Sequence, residues 1–271
     1  MFVSAVPFHP HQRSQGAAHV VMGPRGLADL AQRGSAKAML PRVPAGLPEI
    51  VFLNTAGGLA SGDRLSFAVT LRPGARALAT TQTAERAYRA EGPAARAEVR
   101  LEVGENGWLD WLPQETILFD GARLDRDTAV DLAPGAGCLL VEMIVLGRLA
   151  RGEQPRRLHL RDRRVVRQGG RTVHHDAMAL DDAALPRLDG PALLNGARCL
   201  ATLAVIAPHA PDLLGPARAA LDQPGVTSAA SAPPGRLVIR CLARDDWPLR
   251  RQVNRLLTML RPDPLPRIWQ V

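Results

Sequence analysis

Between Asn54 and Arg64 the chain reads NTAGGLASGDR, three glycines with an aspartate and an arginine, the composition of a loop that cradles phosphate. Such loops hold an anion when a strand feeds them and a helix N-terminus follows, because free backbone N–H groups and the helix dipole then converge on it. Histidines group twice, as HPH at 9–11 and as HHD at 174–176. On a strand His174 and His175 face opposite ways, so they do not chelate one ion together unless the strand bulges. Each is a candidate for one metal ligand, the alternative being a solvated or hydrogen-bonded imidazole. Cys138, Cys199 and Cys241 are far apart and lack any C-x-x-C pairing, so they read as buried small apolar residues and not as disulfides or a zinc site. The chain has no G-x-S-x-G elbow, no H-E-x-x-H and no carboxylate pair at a fixing interval.

The elements that must position these residues are strands. RLSFAVTL puts Leu65, Phe67, Val69 and Leu71 on one face, AEVRLEV does the same with Ala97, Val99, Leu101 and Val103, and TAVDL with Thr128, Val130 and Leu132. Each run ends in a turn, at Pro73-Gly74, Asn106-Gly107 and Pro134-Gly135, and re-emerges as a second strand. The units recur at about 30 residues, which suggests stacked hairpins or a solenoid-like β structure, with a β-sandwich as the alternative. EIVFL at 49–53 enters the glycine loop and a period-two strand leaves it. The arrangement is therefore strand-loop-strand, with no helix N-terminus for a phosphate and no Lys-Ser/Thr pair. What remains is a tight connection, or a loop whose small residues let another backbone approach.

GLADLAQRGSAKAM at 26–39 leans to strand, because Gly34 and Ser35 interrupt any helical stripe. Helices are expected from Asp212 to Leu221 and after Asp245 or Asp246, where Leu249, Val253, Leu256, Leu257 and Leu260 share a face. QPGVTSAASAPPG at 223–235 reads as a loop, followed by the short strand RLVIRCLA.

Of the 271 residues 46% are apolar, enough for a full core, and no stretch has the length of a membrane-spanning helix. The first residues do not read as a secretory signal, so the expected location is cytoplasmic. The formal charge of +8 invites a nucleic-acid reading, but aromatic residues make up only 4% and lysine appears once, at Lys37. The densest basic stretch, Arg148 to Arg171, holds nine arginines against Glu153 and Asp162. It reads as a hairpin, 158–167 and 171–180 about QGG, either a solvated strand pair or a surface for an acidic protein partner.

The runs GGLASGDRLSFAVTLRPGARALATTQTAERAYRA, WLDWLPQETILFDGARLDRDTAVDL, VEMIVLGRLARGE and VNRLLTMLRPDPLPRIW, in that order, resemble the urease accessory proteins called UreD or UreH. The resemblance spans about Gly26 to Trp269. It implies one mainly β domain over 1–271, with stacked strand-turn-strand units, solenoid-like or sandwich-like, and a small helical portion toward the C-terminus. It implies a non-enzymatic maturation protein that docks on apo-urease and on UreF, which recruits the GTPase UreG, with a dimer possible inside that complex. No cofactor is held tightly; nickel is in transit.

Carried onto matching positions, the nickel route passes near Asp63, Glu85, Glu142 and Asp176. Each has a plainer alternative: Asp63 bonding turn amides, Glu85 pairing with Arg86 or Arg89, Glu142 pairing with Arg148. Where relatives have a glutamate in a V-E-R context this chain has HHD, so His174 or His175 is expected to share the acid's role. Thr55-Ala56 and Ser61-Gly62 also depart from the family's loop. The rival reading is a small-molecule enzyme using 54–64 as an anion site.

Overall fold

A computed structural model of the chain describes residues 13–43 and 46–270; the HPH grouping at 9–11 lies outside them. The strands are β1 (Gln15–Gly23), β2 (Gly26–Gly34), β3 (Ala36–Met39), β4 (Glu49–Asn54), β5 (Arg64–Leu71), β6 (Arg76–Thr81), β7 (Glu85–Ala87), β8 (Ala95–Val103) and β9 (Trp108–Leu112). They continue with β10 (Thr116–Leu118), β11 (Ala122–Leu132), β12 (Gly137–Leu146), β13 (Leu158–Gln168), β14 (Arg171–Asp181), β15 (Cys199–Ile206), β16 (Val226–Ser231) and β17 (Arg236–Ala243). Two α-helices, α1 (Leu214–Ala219) and α2 (Asp246–Leu260), lie toward the C-terminus.

The repeating unit is a coil of a solenoid. Strands β5, β8, β11 and β13 stack in parallel in a seven-stranded sheet ordered β14-β13-β11-β8-β5-β1-β2, while β4, β6, β9 and β12 stack in parallel in a second sheet. The short strands β7 and β10 add a further parallel rung beside β12. The two strands about each of the repeated turns therefore lie in opposite sheets, so for these units the stacked-hairpin alternative is replaced by solenoid coils, while β1–β2 and the arginine-rich β13–β14 are true hairpins. The turns themselves stack: Gly74 N donates to Glu105 O at 2.8 Å, and Asn106 N to Pro134 O at 3.1 Å. Gly74, Asn106 and Gly135 all take positive φ, which is why these corners carry glycine and asparagine.

The period-two faces point as expected. Leu65, Phe67, Val69, Leu71, Val99, Leu101, Val103, Thr128, Val130 and Leu132 are buried between the sheets, and Phe52 stacks on Phe67 with centroids 4.6 Å apart. Strand β12 is buried along its whole length, because its other face is covered by α2 through Leu249, Val253, Leu256 and Leu257. All three cysteines are buried and free.

Three local expectations change. The 223–235 segment is not all loop: Val226–Ser231 forms β16, an edge strand whose Ser/Ala composition carries no strand signal and whose bonding comes from β17. Asp245 stands at the N-cap of α2 but makes no side-chain capping bond. The shorter helix is a 3-10 turn, Ala210–Leu213, running into α1.

Candidate functional site

The inward face of the seven-stranded sheet is apolar except near its β14 edge, where it turns ionic. Strand alternation puts Arg126 in phase with Leu124 and Thr128 on β11, and Asp162 and Arg164 in phase with Leu158 and Leu160 on β13. Parallel register sets Arg126 directly beside Asp162, and the antiparallel pairing of β13 with β14 sets Arg164 beside Asp176. Glu142 reaches the same layer from β12 on the opposite sheet, in phase with Leu140 and Ile144.

The contacts form an alternating chain of charge. Arg126 forks onto Asp162, Nε to Oδ1 at 3.0 Å and Nη2 to Oδ2 at 2.9 Å, while its Nη1 donates to Thr116 Oγ1 at 2.9 Å and lies 2.8 Å from Glu142 Oε2. Arg164 Nη2 bridges Asp162 at 3.4 Å and Asp176 at 3.3 Å. Asp176 Oδ1 accepts from Arg240 at 2.8 Å, and Arg240, with its side chain 54% exposed, brings the chain to the surface. Glu142 retains only 4% exposure and the Asp162 side chain 0%.

Burial pushes the Asp162 carboxyl up, but Arg126 and Arg164 outweigh it and hold Asp162 below the usual range. Burial also pushes Glu142 up, and there it wins: Arg126 pulls down less effectively, and Asp162 adds repulsion. The difference follows from geometry, since the Arg126 fork is spent on Asp162. Glu142 Oε2 is close enough to be an ion-pair partner yet has no aligned hydrogen bond, and neither have Arg164 Nη2 and Asp176 Oδ2. Asp176 is held low, burial being outweighed by the Arg240 hydrogen bond and the Arg164 charge.

His174 lies inward beside Asp176 and its pKa is depressed, chiefly by burial; His175 faces out. The opposite facing expected for the pair holds.

Glu85 stands at the near end of the chain. Asn54 Nδ2 donates to Glu85 Oε1 and Oε2 at 3.2 and 3.3 Å and also to Gly58 O at 3.1 Å, clipping the carboxyl to the glycine loop. Thr116, paired with Glu85 in β10, is the residue Arg126 reaches. Burial lifts Glu85 to about 7, with Asn54, the Arg86 amide, Arg86 and Arg126 pulling only partly back.

An acid whose pKa is raised on folding binds more protons folded than unfolded between the two values. Its contribution is therefore favourable below about pH 4.3 and is lost as pH rises through about 7. Glu85→Gln is accordingly expected to gain about 2 kcal/mol over wild type at pH 8 and little at pH 4, a Tm difference of roughly 4–8 °C. Thermal melts at the two pH values check it; equal gains at both would contradict a titrating Glu85.

Two of the plainer alternatives fail and one holds. Glu85 does not pair with Arg89, which bonds Asp120 instead, and from Arg86 it accepts only the backbone amide. Glu142 does not pair with Arg148, which lies past the end of β12 and pairs with Glu153. Asp63 does bond turn amides, accepting from Ser14 N and Ala60 N at 2.7 Å each, and among the described residues it shares no partner with the charge chain. Among the described residues no three His, Cys, Asp or Glu side chains gather into a metal site. Sequence reasoning does not single out Arg126, Asp162, Arg164 or Arg240, and both readings of the arginine-rich hairpin, a solvated strand pair or a surface for an acidic partner, put its arginines outside; Arg164 is in fact buried.

The glycine loop is answered by the same geometry. A side chain at Gly58 would meet the Tyr88 ring at 2.3 Å and Arg86 O at 2.7 Å, and Leu59 N donates to Arg86 O at 2.7 Å. The loop lies flat on the 86–88 backbone, and β5 follows it where a phosphate site needs a helix.

Comparison with known proteins adds the remaining finding. A family model described as UreD urease accessory protein matches residues 14–270. A protein of Paracoccus denitrificans (strain Pd 1222) called urease accessory protein UreD is 71% identical over 271 residues, covering 100% of this chain and 97% of its own length. Proteins with the same description from Cereibacter sphaeroides (strain ATCC 17025 / ATH 2.4.3) and Jannaschia sp. (strain CCS1) are 59% and 48% identical, each covering 96% of this chain and 96% and 97% of their own length.

Proposed function

The chain belongs to the UreD family of urease accessory proteins, a maturation factor and not an enzyme, and from that premise we propose that it is a scaffold that passes nickel inward to apo-urease. In this reading one UreD-like domain over 1–271 docks on apo-urease and on UreF, with UreG joining through UreF, as a dimer inside the complex and in the cytoplasm. None of its helices is long and apolar enough to cross a membrane among the described residues.

The observation that carries the route is the buried chain Glu142, Arg126, Asp162, Arg164, Asp176 and Arg240. Each acid there already faces a guanidinium. A cation arriving at one must displace part of that pairing, so it is held weakly and released, as transport requires. Glu142 is the easiest seat to take, because Arg126 is committed to Asp162, and Glu85 near pH 7 exchanges a proton for a cation at small free-energy difference. His174, neutral and beside Asp176, supplies a nitrogen donor. Asp63 belongs to the loop's turn, and His175 faces away, so both serve the route only at its outside.

The test is urease activation in a host whose urease operon lacks its own UreD-like gene. The double substitution Glu142→Gln with Asp176→Asn is expected to lower activation severalfold while still recovering UreF and urease in pull-downs. Full activation by the double variant would remove the route and leave the scaffold. Wild-type chain that recovers neither protein would remove the scaffold as well.

A further inference from the structure

At the end of the seven-stranded sheet nearest the glycine loop, the outer face carries cations without counter-charges. Arg64 on β5 and Arg96 on β8 stand directly opposite each other in parallel register, both exposed. Arg33, on the free edge strand β2, lines the same groove of about 490 Å³, whose floor is Gly16, Ala17 and Ser66. None of the three guanidiniums has an ion-pair partner among the described residues. The nearest candidates are engaged elsewhere: Asp125, opposite Arg96 on β11, bonds His159 at 3.0 Å, and Glu98, which also lines the groove, leans to Arg100 at 3.6 Å. Elsewhere on this face Asp127 takes both Arg100 and Arg163, and Arg123 and Arg161, unpaired among the described residues, stand opposite His159 and Asp125, not opposite a second arginine.

Like charges directly opposite on neighbouring strands are destabilising. We propose that the Arg33, Arg64 and Arg96 groove is a docking seat for an acidic peptide segment of a protein partner, whose carboxylates supply the counter-charge this chain lacks. Charge complementarity selects the occupant. The groove offers three donors in a row and no aromatic side chain among its lining residues, so it suits carboxylates and not stacked bases. The free edge of β2 lets such a segment lie extended beside it. The seat is on the outer face, away from the buried charge chain, so it stands whether or not that chain carries nickel.

The experiment uses the full chain and a fluorescein-labelled hexaglutamate peptide in anisotropy titrations at low salt. Wild type is expected to bind with an affinity that falls as salt rises, and Arg64→Glu with Arg96→Glu to weaken it by about tenfold or more. Arg251→Glu on α2, which packs on the other sheet, changes net charge alone and is expected to bind as wild type does. Equal weakening by Arg251→Glu, or no wild-type binding at millimolar peptide, overturns the seat. Tighter binding of a thymidine heptanucleotide than of the peptide overturns it in favour of nucleic acid. A second measurement needs no ligand: Arg64→Gln and Arg96→Gln are expected to melt at or above the wild-type temperature, since each relieves repulsion. A clear fall in Tm would make the arginines structural and refute the proposal.

Discussion

Asp162→Ala is expected to lower the melting temperature by roughly 6–20 °C, the consequence of losing about 3–5 kcal/mol at a site where two buried guanidiniums share one carboxylate. Asp162 takes the fork of Arg126 and the Nη2 of Arg164, and all three side chains are nearly or wholly removed from solvent. Removal of the acid leaves two buried cations facing each other with Glu142 and Asp176 as remaining partners. Those two cannot substitute for it, because Glu142 already sits in the weaker position and Asp176 is also held by Arg240.

The pH dependence has a definite sign. Asp162 is more acidic folded than unfolded, so its contribution is present above about pH 3.9 and is lost as pH falls through the lower folded value. The gap between wild type and variant should therefore be full at pH 7 and close in strong acid. Asp125→Ala is the control, since Asp125 is 38% exposed and its bond to His159 lies on the outer face; its effect is expected within about 0.5 kcal/mol. Melts of Asp162→Ala and wild type that coincide at neutral pH would refute the ionic chain as a structural unit.

What the sequence shows of this site is phase, and what it hides is register. In LHLRDRRVV the residues alternating with Leu158 and Leu160 are Asp162 and Arg164, so their inward facing is readable once the strand is placed. The abundance of arginine around them obscures that phase, because exposed Arg161 and Arg163 and buried Arg164 look alike by composition. The pairing of Arg126 with Asp162, 36 residues apart, depends on how coils stack, which no local pattern specifies. Glu142 and Asp176 stand out as route residues only through the family resemblance, and no local pattern places them in one layer.

The fold divides in the same way. Strands that bury one face, such as β5 and β8, announce themselves by alternation, and the turns at Pro73-Gly74, Asn106-Gly107 and Pro134-Gly135 by their residues. Whether the two strands about such a turn pair with each other or with the next coil is a tertiary choice, and here the next coil wins. Strand β16 was missed for a related reason: Ser and Ala at a sheet edge have little side chain to bury, and the strand exists because β17 offers it hydrogen bonds.

A second buried ion pair fastens the C-terminal segment and is subject to the same balance of attraction against lost hydration. Arg261, directly after α2, donates from Nε to Asp110 Oδ2 at 2.6 Å and from Nη1 to the carbonyls of Asp263 and Pro264. Asp110 on β9 also accepts from Trp108 Nε1 at 2.7 Å. Burial raises the Asp110 carboxyl in spite of Arg261, so the attraction does not fully offset the loss of water. Breaking such a pair is therefore much worse than replacing it. Arg261→Met and Asp110→Leu are each expected to cost about 3–5 kcal/mol, whereas the two together are expected to cost less than either single change, a coupling measured by a double-mutant cycle in denaturant. Hydrogen exchange should locate the loss, with α2 amides deprotected before those of β5 and β8, because the solenoid coils pack without Arg261 while Trp269 and the chain after α2 do not. Trp269 is fully buried, donates to Leu112 O at 3.1 Å and lies under Arg250, so that segment is released when its anchor goes. A double variant as unstable as the sum of the singles would mean that Asp110 and Arg261 act independently, and that the helix is held by its apolar face alone.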